Sequence, residues 1–376
     1  MKKVIIIPDS FKGTLSAVQI CTIISEQVKI HFPSCQIVAI PIADGGEGSL
    51  SCFLQALGGS IIEAQCSDPF FQPMTGAYAL LNDGSAIIEM AVCSGLPLVE
   101  NRKAPMLTTT YGVGELILNA LDMGCKRIIL CLGGSCTNDC GCGMAAALGV
   151  KFYNQNGKPF IPTGGTLKDI FHIDVSGLTP SITSIPILAM CDISNELYGE
   201  NGAAYVFAPQ KGASKAQVKL LDQGLRHISQ IIKQDLGKDI SNLPGGGAAG
   251  GMGAGAAAFF NAQLKMGIDI ILDMVNFDKQ LQDADIVFTG EGRIDSQSIY
   301  GKAVIGIACH AKKAGVPVLV ITGGASEDLA PAYNLGVTAV FPINRLPEDF
   351  SISRHKSEQN LRSTVNDILR LIKYLK

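Results

Sequence analysis

No block of lysine and arginine stands out in this chain, and its net charge is only −3. It therefore lacks the electrostatic footprint of a nucleic-acid binder. An anionic ligand would have to be held by a local pocket rather than by a global field. There is no CxxC pair, and Cys136, Cys140 and Cys142 have neither a nearby histidine nor zinc-site spacing. The twelve cysteines read instead as small buried hydrophobes in a reducing compartment. No G-x-S-x-G or H-E-x-x-H motif occurs, and none of the five histidines sits in a polar loop motif, which argues against a His-based triad. The apolar run Val4–Ile7 is far too short for a signal peptide or a spanning helix. A cytoplasmic protein without a membrane partner is expected.

What is present is a compact composition, 47% hydrophobic and 17% charged over 376 residues, long enough for two domains with separate cores. The densest signal is IILCLGGSCTNDCGCGMAAALGV, Ile128 to Val150. A buried strand breaks into a turn holding Gly133, Gly134, Ser135, Thr137, Asn138 and Asp139, and a small-residue helix starts near Met144. Such a turn lets the backbone approach an anion closely, with helix amides aimed at it. Asp139 would repel a phosphate unless a cation or proton lay between. A loop that handles phosphate with a metal, or a substrate hydroxyl, and a tight turn with Asp139 as an N-cap are all open readings.

The same logic recurs along the chain. The strand Val4–Ile7 ends in Asp9-Ser10-Phe11-Lys12-Gly13-Thr14, where open α/β sheets place ligands. Lys12 offers a point cation for phosphoryl oxygens. After a helix over Ala17–His31, a strand over Gln36–Ile42 ends in Asp44-Gly45-Gly46-Glu47. Asp44 and Glu47 can hold Mg²⁺ through oxygen, or one can take a proton from an attacking hydroxyl. From about Gly59 to Pro97, short alternating runs between turn residues predict an antiparallel meander. Glu89 lies within one such strand, facing either solvent or the site. Thr108-Thr109-Thr110 predicts a capped helix start whose hydroxyls and amides could meet an anion.

Further on, the strand ending at Met190 leads to Asp192, and a turn presents Gln210 and Lys211 before a long helix, Lys215 to Leu236. Gly245, Gly247 and Gly250 form G-x-G-x-x-G, but no strand precedes them, so the dinucleotide fingerprint fails its context test. A pliable loop over a ligand, or a hinge, is expected there. A helix over Met274–Leu281 and a strand over Ile286–Phe288 lead to Thr289-Gly290-Glu291-Gly292-Arg293-Ile294-Asp295. Arg293 can grip a carboxylate or phosphate bidentately, and Asp295 can accept a hydroxyl proton; an internal ion pair is the plainer alternative. Acid, hydroxyl, cation and backbone amide are the parts of phosphoryl transfer, although neither a Walker A loop nor the protein-kinase motif set is present.

The blocks DSFKGTLSA, PIADGGEGS, TTTYGVGEL, GGSCTNDCGCGMAAALG, CDISN, APQKGA, GGMGAGAAAF and ADIVFTGEGRIDSQSIYGK, in this order over nearly the whole chain, resemble the type-1 glycerate kinase family. The resemblance implies ATP-dependent phosphorylation of D-glycerate with Mg²⁺, 2-phosphoglycerate being the favoured product. It also implies a two-domain α/β protein. A flavodoxin-like parallel-sheet domain (1–60 and 267–376) would be built from both chain ends, with a mixed α/β domain (61–266) inserted, and the substrate would lie in the interdomain cleft. Arg293 would hold the glycerate carboxylate, and Asp295 or Asp44 would take the proton. Lys12 would work beside Mg²⁺ carried on Asp192, Asp44 or Glu47. Asp9, Ser10, Gly45, Gly46, Gly134, Ser135, Thr137, Asn138, Asp139, Lys211, Gly290 and Glu291 complete the expected substrate and phosphate contacts. A homodimer is compatible with this reading. An NAD-linked hydroxy-acid oxidoreductase and a non-catalytic sugar-acid sensor are the competing classes. The chain departs from the family pattern at Cys136, Cys140, Glu196 and Ala208, which precedes Pro209-Gln210-Lys211.

Overall fold

The computed structural model describes residues 1–43, 45–46, 48–295 and 303–375. It divides into two compact units, one of Met1–Asp44, Ser51–Leu57 and Met266–Lys376, the other of Gly45–Leu50 and Gly58–Lys265. In chain order the strands are β1 (Lys3–Ile6), β2 (Gln36–Ala39), β3 (Gly59–Ser67), β4 (Pro73–Leu81), β5 (Ser85–Glu89), β6 (Arg127–Cys131) and β7 (Lys151–Tyr153). They continue as β8 (Pro159–Phe160), β9 (His172–Asp174), β10 (Ile187–Met190), β11 (Gln263–Lys265), β12 (Ile286–Ile294), β13 (Val318–Ala325) and β14 (Val337–Pro342).

The first unit is a parallel sheet in the order β14-β13-β12-β1-β2. Counted along the unit's own strands this is 2-1-3-4-5, the flavodoxin-like order, with its switch point between β1 and β12. Val4, Ile5, Ile6 and Ile7 are fully buried, which is why β1 reads as a continuous apolar run instead of an alternating one. The Ala17–His31 helix starts at a capping box in which Ser16 Oγ accepts the Gln19 N–H and Gln19 Oε1 accepts the Ser16 N–H. Its Ile20 and Ile24 pack with Val4, Ile6, Phe288 and, from the C-terminal helix Ser357–Leu375, Leu361 and Val365. Two expectations change here. Asn276 takes a left-handed conformation and splits the expected Met274–Leu281 helix into Gly267–Met274 and Phe277–Gln280. And β12 runs on to Ile294, because its end stays paired with β13, Glu291 opposite Thr322 and Arg293 opposite Gly324. Gly290, Glu291 and Arg293 are therefore strand residues.

The second unit holds a six-stranded sheet, β11-β10-β6-β5-β4-β3, and a small antiparallel sheet, β8-β7-β9. β3, β4 and β5 form the expected meander, but β5 then pairs parallel with β6. Four parallel strands thus aim their C-terminal ends the same way. The Lys215–Leu236 helix is opened by a Ser214–Gln217 capping box and closed by left-handed Gly237, whose N–H reaches the Lys233 carbonyl at 3.1 Å. Its Leu221 and Leu225 share a core with Ile128, Leu130, Met144 and Phe259. Among the described residues no helix is long and apolar enough to cross a membrane.

Candidate active site

The structure gathers the expected site residues into one cluster in each unit. Asp44 and Glu47 lie outside the described residues.

In the first unit the cluster stands at the switch point between β1 and β12. The Asp9 N–H donates to the Gly290 carbonyl at 2.8 Å, and Asp9 Oδ1 accepts the Ser10 N–H at 2.6 Å. The chain then turns back tightly, the Phe11 N–H donating to the Leu15 carbonyl at 2.8 Å, so that exposed Lys12 rides on a fixed loop. Gly292 lies directly beneath: a Cβ there would stand 3.3 Å from the Lys12 nitrogen. Arg293 projects from the end of β12, its side chain 72% exposed, with Nε 3.9 Å from Asp295 Oδ2. At that separation the two charges attract without a hydrogen bond holding them together. The guanidinium fork keeps faces open to a substrate.

In the second unit three motifs far apart in sequence converge. The Gly133 N–H donates to the Gly45 carbonyl at 2.9 Å, and a Cβ on Gly133 would stand 2.5 Å from the Gly46 Cα. A side chain at 133 would force these two loops apart. Gly45 in turn sits against Met190 at the end of β10, where exposed Asp192 follows. Gly46 accepts the Ser49 hydroxyl at 2.7 Å. Glu89 faces neither open alternative cleanly. It is buried and its Oε1 accepts the Leu50 N–H at 2.7 Å.

Asp139 is wholly buried. Oδ2 accepts from the Thr110 N–H at 2.7 Å, the Thr110 hydroxyl at 2.8 Å, the Thr109 hydroxyl at 3.4 Å and the Gly143 N–H at 3.2 Å; Oδ1 accepts from the Gly141 N–H at 3.2 Å. Burial pushes this carboxyl up, and the donors from Thr110, Gly143 and Gly141 pull it back. The amides and hydroxyls that the sequence offered to an outside anion thus hold the protein's own carboxylate. Thr110 makes no side-chain cap to its own helix. Its hydroxyl bridges to Asp139 and accepts the Met144 N–H at 2.9 Å. The geometry gives Asp139 a positioning place.

Lys211 differs from the loop cation expected. It is 2% exposed, and Nζ donates to Ser135 Oγ and to the Thr137 carbonyl, both at 2.7 Å. Desolvation drives its ammonium down to about 8, against the opposing pull of Cys136 and Asp139. Beside it, Thr137 Oγ1 and both amide atoms of Asn138 are buried with no hydrogen-bond partner among the described residues. Burial pushes the Cys136 thiol up to about 12 and raises Cys140 and Cys142 as well, so all three are poor metal ligands and nucleophiles. Among the described residues no group of three or more His, Cys, Asp or Glu could hold a metal ion.

The glycine run at Gly245–Gly255 corrects another expectation. It is buried, not pliable. The Gly250 carbonyl accepts the Cys140 N–H at 3.1 Å; a Cβ on Gly250 would meet the Thr137 carbonyl at 2.1 Å, and one on Gly255 the Cys140 carbonyl at 1.9 Å. These glycines allow two backbones to touch. Ala249, Gly250 and Gly251 are left-handed within the helix Ala248–Phe260, and Cys140 is left-handed opposite them. Non-glycine residues bear a cost of about 1–2 kcal/mol in that conformation. The sequence marked the spot only through its glycines.

Relatives match this chain over almost its full length. The chain is 44% identical to a glycerate kinase of Bacillus cereus, with 97% of each covered. It is also 44% identical to a glycerate 2-kinase of Escherichia coli, over 91% of this chain and 90% of that one. A crystal structure from Salmonella typhimurium LT2 with a provisional glycerate kinase 2 designation superposes with a TM-score of 0.89 at 39% identity, covering 99% of this chain and 98% of that one. With its strand order, its loop clusters and a family-model match over residues 4–373, the chain belongs to the glycerate kinase family.

Proposed function

We propose that this protein transfers the γ-phosphoryl group of ATP to D-glycerate and releases 2-phosphoglycerate. The observation that carries the reading is the family match over residues 4–373. The position of the product phosphate rests on the likeness to a relative named glycerate 2-kinase. Phosphoryl transfer needs positioning and charge neutralisation rather than a covalent intermediate, and the two clusters supply groups of that kind.

In the first unit, exposed Arg293 would clamp the glycerate carboxylate through its planar fork. Asp295 would accept the proton of the attacking hydroxyl, with Asp44 as the second candidate. Lys12 would draw charge off the migrating group, and Asp9, Ser10, Gly290 and Glu291 would shape its surroundings. In the second unit, Gly45, Gly46, Gly134, Ser135, Thr137 and Asn138 would line the phosphates. Mg²⁺ takes oxygen ligands, keeps several waters and is held by one or two carboxylates plus substrate phosphates. Asp192, exposed at the C-terminal end of β10, suits one such bond, with Glu47 or Asp44 as a second. The ion would arrive with ATP and neutralise phosphate charge.

Incubation with ATP-Mg²⁺ and a panel of small hydroxy acids, followed by identification of the phosphorylated carbon, tests the reading. Glycerate phosphorylated at C2 is expected. Phosphate on C3 would revise the product, and turnover of a different acid would displace the substrate. Asp295→Asn and Lys12→Ala should each slow turnover by about 10²–10⁴-fold; near wild-type rates in both would remove those roles.

A further inference from the structure

We propose that Lys211 is a positioning residue for phosphotransfer: its buried ammonium, bound to the Ser135 hydroxyl and the Thr137 carbonyl, sets the Gly133–Asp139 loop to receive the phosphates of ATP. The inference rests on the reading of that loop as a phosphate-binding element.

The geometry holds Lys211 against that loop. It comes from the short turn Pro209–Lys211, closed by left-handed Gly212, where a Cβ would stand 2.6 Å from the Lys103 Cβ. The turn is packed in place, so the side chain cannot withdraw. Its Nζ reaches two points of the loop, both at 2.7 Å. Ser135 Oγ spends a lone pair on the ammonium, which polarises its O–H and turns the proton away from Lys211, toward an incoming oxygen. The Thr137 carbonyl is pinned at the same time.

A second observation is independent of Lys211. Thr137 Oγ1 and Asn138 Oδ1 and Nδ2 are buried without hydrogen-bond partners among the described residues. A loop kept only for structure has no reason to retain unspent donors in its interior. A loop that must offer donors to phosphate oxygens does.

The titratable and charged groups around Lys211 are the Cys136 thiol and the Asp139 carboxyl on the loop, and Lys103 behind Gly212. Cys136 stays protonated well above neutral pH, and Asp139 is occupied by its own donors. With the ammonium poised at about 8, the loop should lose its central charge within an accessible alkaline range.

Steady-state kinetics from pH 7 to pH 9.5, at saturating glycerate, read this out. In the wild type the KM for Mg·ATP should rise about tenfold across that range, with a much smaller change in kcat, as expected for one charge-assisted hydrogen bond. Lys211→Met should show the raised KM already at pH 7 and no further dependence. Ser135→Ala should do the same, and adding Lys211→Met to it should cost little more, since the two act as one unit. A wild-type KM that is flat with pH, or losses from the two substitutions that add, would overturn the proposal. If Lys211→Met does not fold, the pH profile of Ser135→Ala decides by itself. A wild type that turns over glycerate with a flat KM removes this inference alone. A wild type that never turns over glycerate takes the functional reading down, and this inference with it.

Discussion

The two clusters are built on opposite principles. In the first unit, Lys12 and Arg293 stand out from the ends of β1 and β12 on exposed side chains, Arg293 only loosely paired with Asp295. In the second, Asp139 and Lys211 are sealed in and bonded to other segments, Asp139 to Thr110 and Lys211 to Ser135 and Thr137. Both use the same residue types at the same place in an α/β fold, the C-terminal ends of parallel strands. Exposed charges can reach a substrate but contribute little to stability. Buried ones hold a backbone in a single shape, and removing either partner leaves the other stranded in a low-dielectric interior. In the proposed function, the contrast separates groups that would touch ligand from groups that would shape what touches it.

The comparison breaks most visibly at Asp139. Asp139→Ala would orphan the Thr110 N–H and the Gly141 and Gly143 amides together, and should cost about 3–5 kcal/mol in urea unfolding. A loss below about 1 kcal/mol would mean the network is not what holds the loop. Lys211 comes next, and its sign can be worked out. The ammonium titrates at about 8 when folded against 10.5 as the unperturbed value. Between those values the unfolded chain binds more protons than the folded one, so stability should rise with pH through this window. The cost of burying the charge is in full force below pH 8 and is relieved toward pH 10.5. Relative to Lys211→Met, the wild type should gain roughly 3 kcal/mol over that range; parallel pH profiles would show that folding leaves the Lys211 ammonium unshifted. Stability would thus climb while affinity for ATP falls.

Gly255→Ala is the third test. Its methyl would enter the space of the Cys140 carbonyl, 1.9 Å away, and should cost about 1–3 kcal/mol or prevent folding. Tolerance of alanine would show that the Ala248–Phe260 helix can move off the loop. The smallest effect is expected in the other unit. Arg293→Gln should leave the urea midpoint unchanged within about 0.5 kcal/mol while raising the KM for glycerate. A marked loss of stability would make Arg293 a structural ion-pair partner after all.

Much of this was visible in the chain alone. Val4–Ile7 announced a buried parallel strand, the helices Ala17–His31 and Lys215–Leu236 were legible with their bounds, and the polar strand ends drew attention to loops that the fold brings together. The errors share one cause. Lys211 and Lys12 look alike in a linear chain, since both sit in short Gly-containing turns. Only the folding of Pro209–Gly212 against Ser135 and Thr137 puts one in the interior and leaves the other in water. The glycines from Gly245 looked pliable because glycine is permissive, whereas here that freedom is spent on close backbone contact with Thr137 and Cys140. Glu291 and Arg293 looked like loop residues because Gly290 and Gly292 interrupt the apolar pattern. Pairing with β13 keeps them in a strand nonetheless.

What the sequence determined by itself was local: hydrophobic periodicity, caps, turn chemistry and the kinds of functional group available, all of which act over a few residues. The tertiary structure decided which of those groups would be desolvated. That choice separates the sealed Lys211–Ser135 and Asp139–Thr110 pairs from the open Lys12 and Arg293. It depends on contacts between segments far apart in the chain, such as Ser135 and Lys211, 76 residues apart. Desolvation belongs to the packed environment of a side chain, and no stretch of sequence carries that environment with it.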